Sequence, residues 1–253
     1  MPIIAVSNQK GGVGKTTTAV NLAVAFGMLG KKTLLIDIDP QGNATTGLGI
    51  AKDDVPVAIT EVLLGQVTPA QAVQRSPNAP VDVLPSNGDL VAAEVGLMAM
   101  PHRETRLKQA LASVASAYDW VVIDCPPSLN MLTLNALTAA QGVLVPVQCE
   151  YYALEGLAAL LGTIDSVRQT VNPSLAIAGL LRTMYDRRNK LANDVSNELL
   201  MHFGPQVLAS VIPRNVRLAE APSFGQSIFQ FDASSTGAAA YLALGQELLR
   251  RRF

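Results

Sequence analysis

Short apolar runs alternate along most of the chain with longer segments that have helical spacing. The runs are PIIAVS, TLLIDID, VDVLP, WVVIDCP, GVLVPVQ, LAIAGLLRTMY and VLASVIP. Continuous rather than alternating hydrophobicity is typical of strands in a parallel sheet that helices cover on both faces. The segments 16–28, 104–117, 153–170 and 189–203 have the spacing expected of crossover helices. The pattern predicts an α/β fold with a doubly wound, mostly parallel sheet of about seven or eight strands flanked by helices.

Pro and Gly residues lie mainly between these elements, and the sequence contains no repeat and no low-complexity linker. We therefore expect one domain over residues 1–253. The least regular stretch, 41–57, is rich in Gly, Thr and Asp and follows a predicted strand. Loops at strand ends contact ligands in α/β proteins, so this stretch is predicted to be functional.

Composition narrows the class of protein. The 253 residues are 49% hydrophobic with a formal net charge of -1, which favours a large core and excludes a surface coated with basic residues. No apolar run reaches the roughly 18 residues of a membrane span, and the first residues lack a signal-peptide pattern. The two cysteines, Cys125 and Cys149, have neither metal-ligand spacing nor a disulfide framework. These features predict a cytoplasmic protein.

The stretch QKGGVGKTT, residues 9–17, joins the first apolar run to the helical segment TTTAVNLAVAF. A glycine-rich turn between a buried strand and a helix is the context of a phosphate-binding loop. Lys15 is expected to reach the β- and γ-phosphates, Thr16 to offer its hydroxyl to Mg2+, and Thr17 to lie near the α-phosphate. Backbone N–H groups of the turn are expected to point at phosphate oxygens, namely those of Gly11, Gly12, Val13 and Gly14.

Carboxylates follow two other apolar runs. Asp37 and Asp39 are two residues apart at the end of a predicted strand, so both can face the phosphate site. Asp124 ends the run WVVID and is followed by two prolines. Positioned carboxylates, Mg2+ and lysines are together sufficient for phosphoryl transfer.

The glycine-rich stretch departs from the ordinary G-x-x-x-x-G-K-[ST] pattern because Gln9 stands at the first glycine. Its form K-G-G-x-G-K-T-T resembles the deviant Walker A motif of the ParA/MinD superfamily of ATPases. The resemblance runs nearly end to end, through IIAVSNQKGGVGKTT, LIDIDPQGNATTGLG, DCPPSLNMLTLNAL, VPVQCEYYALEGL, RTMYDRR and VIPRNVRLAEAPSFG. Chromosomal ParA proteins, also called Soj, are more similar than MinD.

This resemblance implies a site and an assembly. Lys10 would reach the phosphates bound by a second subunit, so that a homodimer encloses ATP and Mg2+. Asp39 would orient the attacking water, Asp37 would support the Mg2+ shell, and Asp124 would hold Mg2+ through water as the Walker B acid. Adenine is expected near the late strands, at Met184, Pro213 and Asn215. ATP hydrolysis is expected to be slow without a partner.

The resemblance also implies DNA binding without sequence preference, and a ParB-type partner that stimulates hydrolysis during chromosome or plasmid segregation. Between Leu180 and Arg217 there are six basic and three acidic residues, a local basic excess that fits contacts to DNA phosphates. Arg188 and Arg217 match the DNA-contacting arginines of the family. Arg214 is a third candidate, shared between DNA and the nucleotide. Association with the nucleoid is the expected localisation.

Three alternatives stay open on the sequence. A MinD-like membrane switch would use the C-terminal helix with its clustered Arg250, Arg251 and Arg252. A related ATPase could position a protein cargo instead of DNA. A reductase-like electron carrier would share an iron-sulfur cluster through Cys125 and Cys149, although these lack the glycine-rich flanks of such proteins.

Overall fold

A computed structural model describes residues 1–251, in which eight strands form one sheet with the order β3-β4-β2-β5-β1-β6-β7-β8. All neighbouring strands run parallel except β3 and β4. The strands are β1 Ile3–Val6, β2 Thr33–Asp37, β3 Gln74–Arg75, β4 Asp82–Leu84, β5 Trp120–Asp124, β6 Gly142–Gln148, β7 Ala176–Tyr185 and β8 Val207–Pro213. The predicted doubly wound α/β fold is confirmed.

Helices cover both faces of this sheet. They are α1 Lys15–Met28, α2 Asn43–Gly47, α3 Ile59–Leu64, α4 Pro69–Ala72, α5 Leu90–Met98, α6 Arg106–Leu111, α7 Met131–Ala139, α8 Ala153–Thr170, α9 Lys190–Phe203, α10 Val216–Glu220, α11 Ile228–Phe231 and α12 Thr236–Arg250. Short 3-10 turns lie between several of them. Within residues 1–251, no helix combines the length and hydropathy that crossing a membrane requires.

Alternate residues of the central strands enter two separate cores. Ile4, Leu35 and Val122 face α1 and α12, where Phe26 and Tyr241 are fully buried. The intervening residues of the same strands enter the opposite core with side chains of α5, α7 and α8. This double burial explains why the strands read as continuous apolar runs.

The structure corrects the sequence-based boundaries in two places. The stretch 41–57, predicted to be irregular, contains α2 and a 3-10 turn at Lys52–Asp54. The predicted helix over 104–117 is confined to α6, flanked by 3-10 turns. The two-residue β3 has no counterpart among the predicted strands, because its pairing with β4 depends on a long-range contact rather than on an apolar pattern.

The carboxyl ends of β1, β2 and β5 meet at one edge of the sheet, because β5 pairs in parallel with both neighbours. Next to them lies β6, which pairs with the opposite side of β1. The chain leaves β1 toward one edge of the sheet and reaches β6 on the other side of β1, so β1 marks a topological switch point. Such points hold ligands in open α/β sheets.

Candidate functional site

The glycine-rich turn between β1 and α1 has the geometry of an anion-binding loop. Gly12 and Gly14 adopt left-handed conformations with φ of 72° and 86°, which other residues reach only at an energetic cost. Gly14 is also the N-cap of α1, so no side chain satisfies the first N–H groups of this 14-residue helix. Unsatisfied N–H groups and the helix dipole together favour a bound anion.

Lys15 lies within this loop rather than in solvent, with 8% of its surface exposed. Its Nζ donates a hydrogen bond of 3.0 Å to the carbonyl of Lys10. Burial lowers the pKa of Lys15, while the carboxylates of Asp124 and Asp39 raise it in part. A buried ammonium beside a cluster of amide donors is equipped to bind phosphate.

Asp37 and Asp124 occupy paired positions on β2 and β5. Asp37 is fully buried, and its Oδ2 accepts hydrogen bonds of 2.8 Å from both the backbone N and the Oγ1 of Thr45. Its Oδ1 accepts from the backbone N of Asp39 at 3.2 Å. Burial raises the pKa of Asp37 to about 6 despite these bonds. Asp37 therefore also anchors α2, which contains Thr45.

Asp39 lies two residues beyond the end of β2 and is 8% exposed. Its Oδ1 accepts a hydrogen bond of 2.9 Å from the backbone N of Gln41, and its carbonyl accepts from Ser86 Oγ at 2.8 Å. These bonds hold the segment after β2 beside the phosphate loop. The carboxylates of Asp37, Asp39 and Asp124 interact with one another, so the structure brings the three predicted acids together.

Asp124 is the most unusual of the three acids. It is completely buried, and neither carboxylate oxygen has a hydrogen-bond partner within residues 1–251. Burial raises its pKa well above the ordinary range, and the neighbouring Asp37 adds to that rise. The Thr16 hydroxyl and Lys15 lower it again, although Thr16 does not complete a hydrogen bond. Buried carboxylates are normally paired, so this one is suited to a cation or its water ligands.

No group of three or more His, Cys, Asp or Glu side chains in the described part of the chain is arranged to hold a metal ion. This does not conflict with a magnesium site, because Mg2+ keeps several waters and is commonly held by one or two carboxylates together with substrate phosphates.

Lys10 forms an ion pair within its own chain. Its Nζ lies 2.7 Å from Glu150 Oε2, and the two side chains are 34% and 49% exposed. Asn8 Oδ1 accepts a hydrogen bond of 3.0 Å from the backbone N of Lys10. The ammonium group is thus fixed at the rim of the loop, beside the end of β6.

The predicted adenine residues lie together. Met184, Pro213 and Asn215 line one cavity of about 120 Å3 with Gly14 and Thr17. Met184 has a φ of 48°, which is rare for a residue with a side chain. Met184 thus lies beside the phosphate loop, and the adenine contacts stay a prediction.

The predicted DNA-contacting arginines are exposed but paired with acids. Arg188 makes three hydrogen bonds to Asp186, two from its side chain and one from its backbone N, and these bonds lower the pKa of Asp186 to about 2. Arg217 donates to Glu220 at 2.9 Å and lies 3.6 Å from a carboxylate oxygen of Asp232.

Arg214 lies between two cavities. It lines one cavity with Arg187 and Arg188 and another with Glu150 and Met184. Arg182, by contrast, bonds Ser196 and the Leu208 carbonyl inside the fold.

Several residues that shape the site had no signal in the sequence. Four of them make hydrogen bonds to predicted site residues: Thr45 to Asp37, Ser86 to the Asp39 carbonyl, Glu150 to Lys10 and Thr183 to the Val13 carbonyl. Thr45 lies in the short helix α2, and the other three lie at a strand end or in a loop, 47 to 170 residues from the residue that each contacts. A lone Thr, Ser or Glu there has no local pattern that would single it out.

The fold and this site define a P-loop nucleotide-binding protein of the deviant Walker A type. A family model described as an AAA domain matches residues 1–177. Chromosome partitioning protein ParA of Myxococcus xanthus is 51% identical over 249 residues, covering 98% of this chain and 88% of that protein. Sporulation initiation inhibitor protein Soj of Bacillus subtilis is 50% identical over 246 residues, covering 97% of each chain.

A solved structure shows the same likeness. Cobyrinic acid a,c-diamide synthase from Mycobacterium smegmatis, crystallised with ADP and magnesium, is 42% identical with a TM-score of 0.87. The alignment covers 99% of this chain and 94% of that one. The chain belongs to the ParA/Soj family of chromosome-partitioning ATPases, within the ParA/MinD superfamily.

Proposed function

We propose that the protein is a single-domain ATPase that dimerises around ATP, binds DNA without sequence preference and drives chromosome or plasmid segregation. The observation that carries this proposal is the lysine pair of the phosphate loop beside a buried carboxylate that has no hydrogen-bond partner among residues 1–251. Lys15 is buried in the loop, Lys10 stands at its rim, and Asp124 lies below it.

The residues present fit magnesium. The unpaired oxygens of Asp124 lie near the Thr16 hydroxyl, which together supply the oxygen ligands that Mg2+ prefers. In our assignment Thr16 contacts the ion directly, Asp124 holds it through water, and Asp37 supports the water shell. When bound, magnesium neutralises charge on the β- and γ-phosphates.

Hydrolysis is assigned to positioning by this chain's own side chains. The N–H groups from Gly11 to Gly14 and the ammonium of Lys15 hold the phosphates, with Thr17 near the α-phosphate. Asp39 orients the attacking water, supported by its fixed backbone and its bond from Gln41. Phosphoryl transfer needs orientation and charge stabilisation more than a strong base, so one placed carboxylate suffices.

Dimerisation is assigned to Lys10. Its partner Glu150 is half exposed, and ion pairs of this kind contribute little to stability, so the pair can be exchanged. A cation that enters the neighbouring subunit's ATP site exists there only in the dimer, which couples nucleotide state to association. Adenine is assigned to the cavity at Met184, Pro213 and Asn215.

The arginines Arg188 and Arg217 are assigned to DNA phosphates, with Arg214 shared between DNA and the nucleotide. Their exposed side chains, whose acid partners are themselves partly exposed, suit contacts that hold DNA without reading bases. A ParB-type protein is the expected partner that stimulates hydrolysis, and the nucleoid is the expected location.

The alternatives have less support from the structure. The buried face of α12, which includes Tyr241, Leu244 and Leu248, already packs against the fold and is not free for a membrane, while Arg252 lies outside the described residues. Cys125 and Cys149 are both buried, which does not favour a cluster shared between subunits. An ATPase that positions a protein cargo would use the same site and stays the second candidate.

The test is binding of the protein to unrelated duplex DNA with ATP and Mg2+, with ADP and Mg2+, and without nucleotide, over a salt series. We expect binding with ATP only, weakening steeply with salt, and lost in Arg217→Glu while the ATP dimer persists. Arg168→Glu, at an exposed arginine on α8, is the matched control and should bind normally. Binding that ignores the nucleotide, or none in any condition, would contradict the proposal.

A further inference from the structure

The end of β7 contacts the phosphate loop through two adjacent residues. Thr183 is 2% exposed, and its Oγ1 donates a hydrogen bond of 2.8 Å to the carbonyl of Val13. The Cε of Met184 lies 3.9 Å from the position that a Cβ atom on Gly14 would occupy. The last residues of β7 are therefore packed against the peptide that joins Val13 to Gly14.

That peptide matters for phosphate binding. The carbonyl of Val13 and the N–H of Gly14 belong to one planar trans peptide, so they point in opposite directions. A hydrogen bond that holds the carbonyl toward β7 fixes the N–H toward the other side, where the loop is open. Because Gly14 lacks a side chain and has a φ of 86°, few local restraints define this orientation.

The neighbouring backbone is held in an uncommon conformation. Met184 has a φ of 48°, in the left-handed region that a residue with a side chain adopts only at a cost, which surrounding contacts must offset. Thr183 also pairs with Gln148 on β6, so its backbone is fixed by the sheet. The sheet therefore holds the Thr183 hydroxyl where it contacts the phosphate loop.

We propose that Thr183 is a positioning residue for ATP binding, whose hydroxyl fixes the Val13 carbonyl and thereby aims the Gly14 N–H at the nucleotide phosphates. This inference rests on the proposed ATP-binding function and assigns a role to a residue outside the Walker motifs. Thr183 itself does not touch the nucleotide phosphates in this assignment.

The test compares variants that differ by one group. Thr183→Ser keeps the hydroxyl and loses the methyl, whereas Thr183→Ala loses both; the two variants differ only in the oxygen. Thr183→Val replaces the hydroxyl by a methyl at nearly constant shape. The matched control is Thr138→Val, because Thr138 is a buried threonine on α7 whose hydroxyl has no partner in the described residues.

Affinities for ATP with Mg2+ are measured by calorimetry, and thermal unfolding is measured without nucleotide. We expect Thr183→Ala and Thr183→Val to bind ATP about three- to tenfold more weakly, which corresponds to the loss of one neutral hydrogen bond. Thr183→Ser should bind within about twofold of the original protein. Thr138→Val should leave affinity unchanged.

The outcomes separate this inference from the proposed function. If the original protein binds no ATP, the proposed function fails. If it binds ATP and the Ser and Ala variants bind equally well, the positioning role is overturned. If both variants only unfold at lower temperature with unchanged affinity, Thr183 is purely structural and the inference is also overturned. If Thr183→Val does not fold, the Ser and Ala pair still decides the question.

Discussion

Replacing Asp124 by Asn is expected to stabilise the protein without ligands while it abolishes the magnesium-dependent function. Asp124 is fully buried with two unpaired oxygens, and burial raises its pKa well above the ordinary range. Folding therefore favours the protonated acid, so the folded protein binds more protons here than the unfolded chain. The resulting cost to stability is absent below the unfolded pKa and grows as the pH rises.

The free energy needed to protonate the Asp124 carboxyl sets the upper limit of this cost. A carboxyl with an unfolded pKa of 3.8 can be protonated at about pH 7.5 for about 5 kcal/mol, and at about pH 5 for about 2 kcal/mol. An Asn in the same place would leave a buried amide without partners, which costs about 1–3 kcal/mol. We expect Asp124→Asn to be more stable by at most about 2–4 kcal/mol at about pH 7.5, and the gain to approach zero at about pH 5.

Urea unfolding at several pH values, without nucleotide and magnesium, measures this difference. Asp53→Asn removes an exposed carboxylate from the 3-10 turn after α2 and should shift the free energy of unfolding by less than about 0.5 kcal/mol at each pH. With ATP and Mg2+ the original protein should gain stability and Asp124→Asn should not. A stability difference that does not change with pH, or an Asn variant that is less stable at about pH 7.5, would refute the reasoning.

Three further predictions concern the roles of individual side chains. Lys15→Ala should lose ATP binding in calorimetry, because the buried ammonium at the phosphates is removed; normal affinity would contradict the assignment. Asp39→Ala should accumulate as an ATP dimer in light scattering and release no phosphate, whereas hydrolysis at the normal rate would show that another group orients the water. Glu150→Gln should change the free energy of unfolding by less than about 1 kcal/mol, because its ion pair with Lys10 is partly exposed. Lys10→Ala, in turn, should bind ATP and fail to dimerise. Dimerisation of Lys10→Ala with ATP would remove the proposed role of that lysine.

The parts of the fold that could be predicted from sequence are those with a strong local pattern. The apolar runs became strands. The central strands β1, β2, β5 and β6 are buried on both faces of the sheet, whereas the edge strand β8 is only partly buried and exposes Ala209. The bounds of β6 and β8 agree with the runs GVLVPVQ and VLASVIP. The helix over 153–170 was placed correctly because its buried residues recur at helical spacing, namely Leu157, Leu160, Ile164 and Val167. By contrast, α2 has five residues and depends on Thr45 bonding to Asp37, so no periodicity could reveal it.

The same division applies within the site. The phosphate loop was predictable because one continuous stretch supplies its glycines, its lysines and the start of α1. The neighbouring end of β7 was not, because the sequence of this strand shows its burial and not the loop that it touches. Yet the end of β7 lies next to both proposed binding sites. Thr183 contacts the phosphate loop, and Asp186, three residues after Thr183, pairs with Arg188. The carbonyl of Tyr185, between them, accepts a hydrogen bond from the backbone N of Arg214. The Thr183–Val13 hydrogen bond and the three residues from Thr183 to Asp186 thus join the phosphate loop to the acid that pairs with Arg188. Under the proposed function, this connection is a physical route by which nucleotide state would act on DNA binding.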